Sequence, residues 1–351
     1  MKALIAMSGG VDSSVAAYIM KNEGYDCIGC TMKLFGGEEE ELDSTCCSAD
    51  DVEDARSVAR RLGMDYYVFN FKEDFKCKVI DKFVGCYLAG TTPNPCIECN
   101  AHLKFGRLHN RAKELGCEYV VTGHYARIEK RGDEYVLLEG ADALKDQSYV
   151  LYQMTQEHLA HTKFPLGDID KNKAREIAAS NEFINANKKE SQDICFVPDG
   201  DYASVIEKYS GVKSVEGDFV LTDGQVVGRH KGIIHYTVGQ RKGLGIAWTE
   251  PLYVCRIDVE NNKVILGTEK DLYAKELHAT EVNWISGKVP EEAFRCEIRT
   301  RYHGKKFMAT VTPVGDDQFD AQFDEGVRAI TPGQAAVLYD GDRVIGGGTI
   351  Q

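Results

Sequence analysis

Ala3 to Ser14 reads Ala-Leu-Ile-Ala-Met-Ser-Gly-Gly-Val-Asp-Ser-Ser, an apolar strand running straight into a loop of glycine, hydroxyl and acid residues. Gly9 and Gly10 let the backbone take dihedrals closed to other residues and approach an anion closely. Ser8, Ser13 and Ser14 supply hydroxyl donors at the start of the helix that follows, where backbone N–H groups and the helix dipole favour negative charge. Asp12 is placed to cap that helix or to hold Mg²⁺. The loop lacks a Gly-Lys-Ser/Thr ending, so it is not the cradle that grips terminal phosphates in Walker-type NTPases.

The loop resembles the PP-loop of N-type ATP pyrophosphatases. That resemblance implies cleavage of ATP between the α- and β-phosphates and adenylation of a substrate oxygen. It leaves the substrate open, and an ordinary strand-to-helix turn is the bland alternative.

The flanking pattern predicts an α/β fold. Strands are expected at Ala3–Met7, Asp26–Met32, Tyr66–Phe71 and Tyr119–Thr122, alternating with helices at 13–22, 50–62, 73–88 and from Asn100 to Leu115. Such alternation gives a parallel, doubly wound sheet whose ligands bind beyond the carboxyl ends of the strands. Beyond Pro198 helical periodicity fades and short glycine-punctuated β runs take over. The expected domains are therefore 1–198, a PP-loop domain; 199–276, a small central β domain; and 277–351, a compact C-terminal β-barrel.

The 351 residues carry a net charge of −13, so no global attraction to nucleic acid is expected and phosphate binding needs a local basic face. Two clusters offer one: Arg229, His230, Lys231, Arg241 and Lys242, and Arg295, Arg299, Arg301, His303, Lys305 and Lys306, with Tyr236 or Tyr302 to stack on a base. No signal pattern or membrane-spanning apolar run is evident, which predicts a cytosolic protein without a membrane partner. In that reducing compartment the twelve cysteines read as packing residues, metal ligands or catalytic thiols rather than as disulfides.

Three cysteines sit in chemically suggestive settings. Thr92-Pro-Asn-Pro-Cys96-Ile-Glu-Cys99-Asn100 sets two thiols three residues apart ahead of a helix, and the dipole there favours the Cys99 thiolate. Cys195 follows Lys188 and Lys189 in a polar segment, either as a reactive thiol or as a buried structural one. Cys27, Cys30, Cys77, Cys86, Cys117, Cys255 and Cys296 read as packing residues, Cys46-Cys47 as a loop pair without a role, and Glu38–Glu41 as a solvated acidic run.

The ordered set of Ser8–Ser13, Thr92–Pro95 with Cys99-Asn100, Thr122-Gly-His-Tyr125, Lys145-Asp-Gln-Ser-Tyr149, Ser191-Gln-Asp-Ile-Cys-Phe196 and Tyr236–Gly245 resembles the tRNA-specific 2-thiouridylases of the MnmA/TrmU family. The resemblance spans nearly the whole chain. It implies an enzyme that replaces O2 of the wobble uridine of tRNAs for Lys, Glu and Gln by sulfur, releasing AMP and pyrophosphate. ATP and Mg²⁺ would be held by Ala6, Met7, Ser8, Gly9, Gly10, Val11, Asp12, Ser13, Met32 and Gly123. Asn94, Pro95 and Cys96 would lie against the target base, and His124, Lys145, Asp146, Gln147, Arg301, Tyr302 and Gln334 would contact tRNA.

Cys195 would carry a persulfide, loaded by a desulfurase or a sulfur-relay protein, with Cys99 as its partner; free sulfide is the other sulfur donor the resemblance allows. Many members carry aspartate where this chain has Cys96. Cys96, Cys99 and Cys195 could instead hold a [4Fe-4S] cluster whose fourth iron binds hydrosulfide. The competing function is a PP-loop ligase acting on a small-molecule carboxylate or carbonyl, which would not need Cys99.

Overall fold

A computed structural model describes residues 1–35, 49–188, 194–197 and 200–351. The runs around Glu38–Glu41 and Cys46-Cys47, and Lys189 to Asp193 ahead of Cys195, lie outside the described residues. Among those described, no helix is long and apolar enough to cross a membrane.

The N-terminal half is built on a parallel sheet of β1 (Lys2–Ala6), β2 (Asp26–Lys33), β3 (Asp65–Asn70), β4 (Tyr119–Val121) and β7 (Thr162–Lys163), in the order β3-β2-β1-β4-β7. Alternation along β1 feeds two cores, as a strand must when both faces are covered. Ala3 and Ile5 pack with Val15, Ala16 and Ala17 of helix Val11–Asn22 and with Ala55, Val58 and Ala59 of helix Ala49–Arg61. Leu4 packs on the other face with Phe75, Val79, Phe83 and Tyr87, the predicted stripe of a helical segment running through 72–88.

Two helix starts differ from the sequence reading. The fourth helical segment begins at Pro95, not Asn100; Asn94 is its N-cap, with a side-chain oxygen that accepts from the Cys96 N–H at 3.1 Å. Proline is pre-organised for the first helical turn, and asparagine is a strong N-cap. Asn100 is buried inside the helix and donates to the Val150 carbonyl at 2.9 Å. From Cys99 to Arg107 the segment winds as a π-helix, a rare widening that is frequent at functional sites. The first helix starts at Val11 behind an N-cap glycine, Gly10, so Asp12 lies in the first turn and does not cap it.

The central domain is a four-stranded sheet in the order β10-β11-β8-β9, formed by β8 (Gly217–Leu221), β9 (Val226–His230), β10 (Tyr253–Asp258) and β11 (Lys263–Gly267). In the C-terminal barrel β12 (Tyr273–Trp284), β15 (Gln318–Arg328), β14 (Lys306–Val314), β13 (Phe294–Arg299), β16 (Ala335–Asp340) and β17 (Arg343–Ile350) follow one another, and β17 closes back on β12. The barrel thus has six strands among the described residues.

A hairpin of the N-terminal half, β5 (Ala126–Arg131) and β6 (Glu134–Glu139), extends the barrel sheet by pairing β6 with β17 through Leu137 and Leu138. Alternation in β16 shows why the chain accepts this. Ala336 and Leu338 fill the barrel, while Ala335, Val337 and Tyr339 point outward into a second core with Leu137, Tyr149 and Leu151. The outer barrel wall is an interior of the whole protein.

Candidate active site

The predicted ATP residues meet at the carboxyl ends of β1, β2 and β4. Gly9 takes a positive φ of 77°, and a side chain there would collide with the Asp51 backbone. Gly123 presses on the same turn: a Cβ would lie 2.8 Å from the Asp12 carbonyl carbon and 2.9 Å from the Ser13 nitrogen. The hydroxyls are arranged otherwise than the sequence suggests. Ser13 and Ser14 donate to the Gly10 carbonyl at 3.0 and 3.1 Å, and the Ser8 N–H donates to the Ser13 oxygen at 3.2 Å. They brace the loop, and no side chain caps the first N–H groups of the helix behind it. An uncapped helix start behind a glycine turn is an anion cradle.

Three residues assigned no role from sequence secure this loop. Asn185, buried, donates to the Gly9 carbonyl and the Ser14 hydroxyl, each at 2.9 Å. Lys171 and Tyr125 hold Asp12: the ammonium lies 2.7 and 2.8 Å from its two oxygens, and the phenol donates to one of them at 2.8 Å. No local periodicity marks these positions, because their partners are more than a hundred residues away in the chain. Lys188, read as a cation beside Cys195, instead pairs with Asp51 and Asp54 at 2.6 Å.

The thiols adjoin the cradle through one apolar wall. Ala6 and Met32, expected at ATP, and Cys99 and Cys195 all pack against the cluster containing Leu4, Phe75, Phe83 and Phe196. Cys99 and Cys195 are half-buried, whereas Cys96 is exposed. Since the helix starts at Pro95, Cys96 stands in its first turn and Cys99 one turn further in, so the dipole argument applies to Cys96 more directly than to Cys99. Between them Glu98 is buried and bridges Lys82 at 2.9 Å and His102 at 3.3 Å. Burial pushes its carboxyl up, but those two partners outweigh it and hold it below the usual range.

Among the described residues, no three His, Cys, Asp or Glu side chains gather in an arrangement that would hold a single metal ion. Of the cysteines read as packing residues, Cys27, Cys30, Cys117 and Cys296 are buried, Cys86 and Cys255 half-buried and Cys77 exposed.

The loop leading to the thiols is where the three domains meet. The Thr92 N–H donates to the Pro332 carbonyl at 2.9 Å, and the Gln334 amide donates to the Thr92 carbonyl at 2.7 Å. A side chain on Gly90 would strike Val259 and Ile257 of the central domain, and Gly90 itself has a φ of 74°.

The residues expected at tRNA are placed unequally. Tyr302 is half-buried and tilts on His303 at 4.2 Å between ring centroids; burial first of all pushes its phenol up to about 12. Lys145 is half-buried, and the Gln147 amide oxygen accepts from the Tyr125 N–H at 3.0 Å. Arg301 spends one nitrogen on the Val238 and Ala329 carbonyls and the Thr331 hydroxyl, at 3.0, 3.0 and 2.7 Å, bolting the central domain to the barrel. Asp146 is buried, with Arg299 at 3.0 Å; Arg299 also reaches Glu139 at 2.8 Å, and Lys306 meets the same Glu139 at 2.8 Å.

The basic clusters are correspondingly thinned. Arg295 pairs with Asp324 and Arg229 with Asp218, while His230 and Tyr236 are buried in the central core with Phe219. Tyr236 cannot stack on a base from there. Lys231, Arg241, Lys242, His303 and Lys305 remain exposed.

His124 is buried, and its ring lies by Phe105 and Phe164. Lys104 lies 3.3 Å from Nε2 and Thr122 2.5 Å from Nδ1. Desolvation, then the Lys104 charge, holds its pKa well below 6.5. The neutral ring therefore accepts from Lys104 at Nε2 and donates from Nδ1 to Thr122. The unfolded chain binds a proton near the ordinary value and the folded site does not, so His124 makes stability fall as pH drops below about 6.5. Urea midpoints measured at pH values on either side of that point should show the loss, and it should be smaller in His124→Gln. An unchanged pH slope in the variant would remove His124 as a source.

Fold and site together define a PP-loop nucleotide-binding domain followed by two β domains. Residues 1–199 match the family described as tRNA methyl transferase HUP domain, 203–268 the tRNA methyl transferase PRC-barrel domain and 274–350 the aminomethyltransferase beta-barrel domain. Over its whole length the chain is 51% identical to the tRNA-specific 2-thiouridylase MnmA of Clostridioides difficile, covering 98% of that protein. It is 47% identical to the protein of the same description from Clostridium beijerinckii and 48% to that from Acetivibrio thermocellus, covering 98% and 99% of them. The chain belongs to the tRNA-specific 2-thiouridylase family.

Proposed function

We propose that this enzyme adenylates O2 of a tRNA wobble uridine with ATP and replaces it by sulfur, releasing AMP and pyrophosphate. The observation that carries the reading is the single apolar wall shared by Ala6 and Met32, at the nucleotide cradle, with Cys99 and Cys195. A uracil oxygen is a poor leaving group, and adenylation turns it into AMP. Water at the activated carbon would only regenerate uridine, so an apolar wall behind the thiols favours sulfur over hydroxide. Mg²⁺ would be held by the Asp12 carboxylate, a hard oxygen donor suited to it, and would neutralise phosphate charge.

In this reading Cys195 carries the persulfide. The Cys99 thiolate attacks Cys195 Sγ, and the bond to the terminal sulfur breaks. The electron pair leaves on that sulfur, as hydrosulfide or as the sulfur of the product. A Cys99–Cys195 disulfide remains, which an external dithiol must reduce before the next turnover. Cys96, Asn94 and Pro95 border the base.

The test is a reconstitution with ATP, unmodified tRNA and a persulfide donor under anaerobic conditions. Thiolated tRNA, AMP and pyrophosphate should appear in equal amounts. ATP cleavage that depends on a small carboxylate and ignores tRNA would overturn the reading in favour of a ligase.

A further inference from the structure

We propose that Lys171 is a pyrophosphate-binding residue, the cation that receives the β- and γ-phosphates of ATP and stabilises the leaving group. The inference rests on the ATP reading above and assigns one of its parts. From Ala6 to Ser14 the loop's one charged residue is Asp12, so by itself the cradle is negative where a triphosphate must sit. Beyond the helix N–H groups and Mg²⁺, a protein cation for the phosphates can come only from elsewhere in the chain.

Lys171 is where that cation is needed. It opens helix Lys171–Ser180, whose Ala174 and Ala178 pack with Val15, Ala16 and Ala17 of the helix behind the loop. Asp170 caps this helix by accepting from the Lys173 N–H at 2.8 Å, and the Lys171 N–H donates to Asp142 at 3.1 Å, so the stem has a fixed origin. The side chain is 10% exposed and its ammonium contacts both Asp12 oxygens, with the Tyr125 ring centroid 5.9 Å away. Gly123 backs the Asp12 main chain closely, which fixes where its side chain starts.

As a stability device alone this pair is a weak choice, because taking the ammonium out of water offsets much of its attraction to a carboxylate that is still partly solvated. As a parked phosphate ligand it has a use. When the nucleotide enters, the ammonium swings along its flexible stem from carboxylate to phosphate, and Asp12 is released towards the metal. Lysine suits this better than arginine, being a compact point charge with rotatable donors. During adenylation the bond from the α-phosphorus to the uridine oxygen forms as the bond to the α,β-bridging oxygen breaks. The electron pair stays on that oxygen, and Lys171 meets the charge that develops on pyrophosphate.

Equilibrium binding of ATP, inorganic pyrophosphate and AMP to the full-length protein, with and without Mg²⁺, tests the assignment. Lys171→Met should weaken ATP and pyrophosphate by at least about tenfold and leave AMP within about twofold, with Lys171→Arg in between. Unchanged ATP and pyrophosphate affinity would overturn the proposal, as would an equal loss for AMP, which marks a collapsed loop. If Lys171→Met does not fold because Asp12 is left unpaired, Asp12→Asn/Lys171→Met supplies a neutral pair, and Asp12→Asn is its reference. Failure of the wild-type protein to bind ATP would instead overturn the ATP reading itself.

Discussion

Cys195→Ser and Cys99→Ser should each abolish 2-thiouridine formation, with product at least about a thousandfold below wild type, while tRNA-dependent pyrophosphate release persists. The two thiols pack against the same apolar cluster as Ala6 and Met32, yet neither is part of the glycine loop from Ser8 to Ser13. Serine keeps the volume and removes the sulfur, so adenylation and sulfur transfer should separate. The readouts are thiolated tRNA resolved on a mercury-containing gel and pyrophosphate from the same reaction. Mass spectrometry of the persulfide-loaded protein adds a direction. Cys99→Ser should accumulate one extra sulfur on Cys195, and Cys195→Ser should carry none. Full thiolation by either variant would dispose of the persulfide route.

The second large effect is expected at the joint between the β5–β6 hairpin and the barrel. The Asp146 side chain is 3% exposed, accepts from the Gly140 and Ser148 N–H groups at 3.1 Å and pairs with Arg299, itself 14% exposed. Asp146→Ala removes one of the two carboxylates on a buried guanidinium and leaves the buried Gly140 and Ser148 N–H groups without their acceptor, a change expected to cost about 3–5 kcal/mol. Arg299→Met should cost a similar amount, and the double variant less than the sum of the two, since the residues share one network. Urea unfolding followed by intrinsic fluorescence measures this. A loss below about 1 kcal/mol for Asp146→Ala would show that Glu139 and Lys306 hold the joint without it.

Much of the architecture was legible along the chain. Strand–loop–helix order, the stripe at Phe75, Val79, Phe83 and Tyr87, and the shift to short β runs after Pro198 are local signals, and the sheet, central domain and barrel follow them. The missed hairpin shows the limit. Ala126–Arg131 and Glu134–Glu139 are half charged, and they become strands by pairing with one another and with β17, some two hundred residues away. The helix start was misplaced for a local reason, since Asn94-Pro95 is a stronger start than Asn100.

By itself, then, the sequence determined the glycine turn after the first strand, the helix behind it and the kind of domain that follows, because backbone preference and apolar period are written within a few turns of chain. Tertiary structure alone decided what the charges do. Arg299, Arg301 and Lys306 read as a face for RNA, but they are spent on Asp146, Glu139 and main-chain carbonyls brought from other domains. Lys171 carries no mark in sequence and lies on Asp12. Charge is compensated across space, and only the fold says which residues share it.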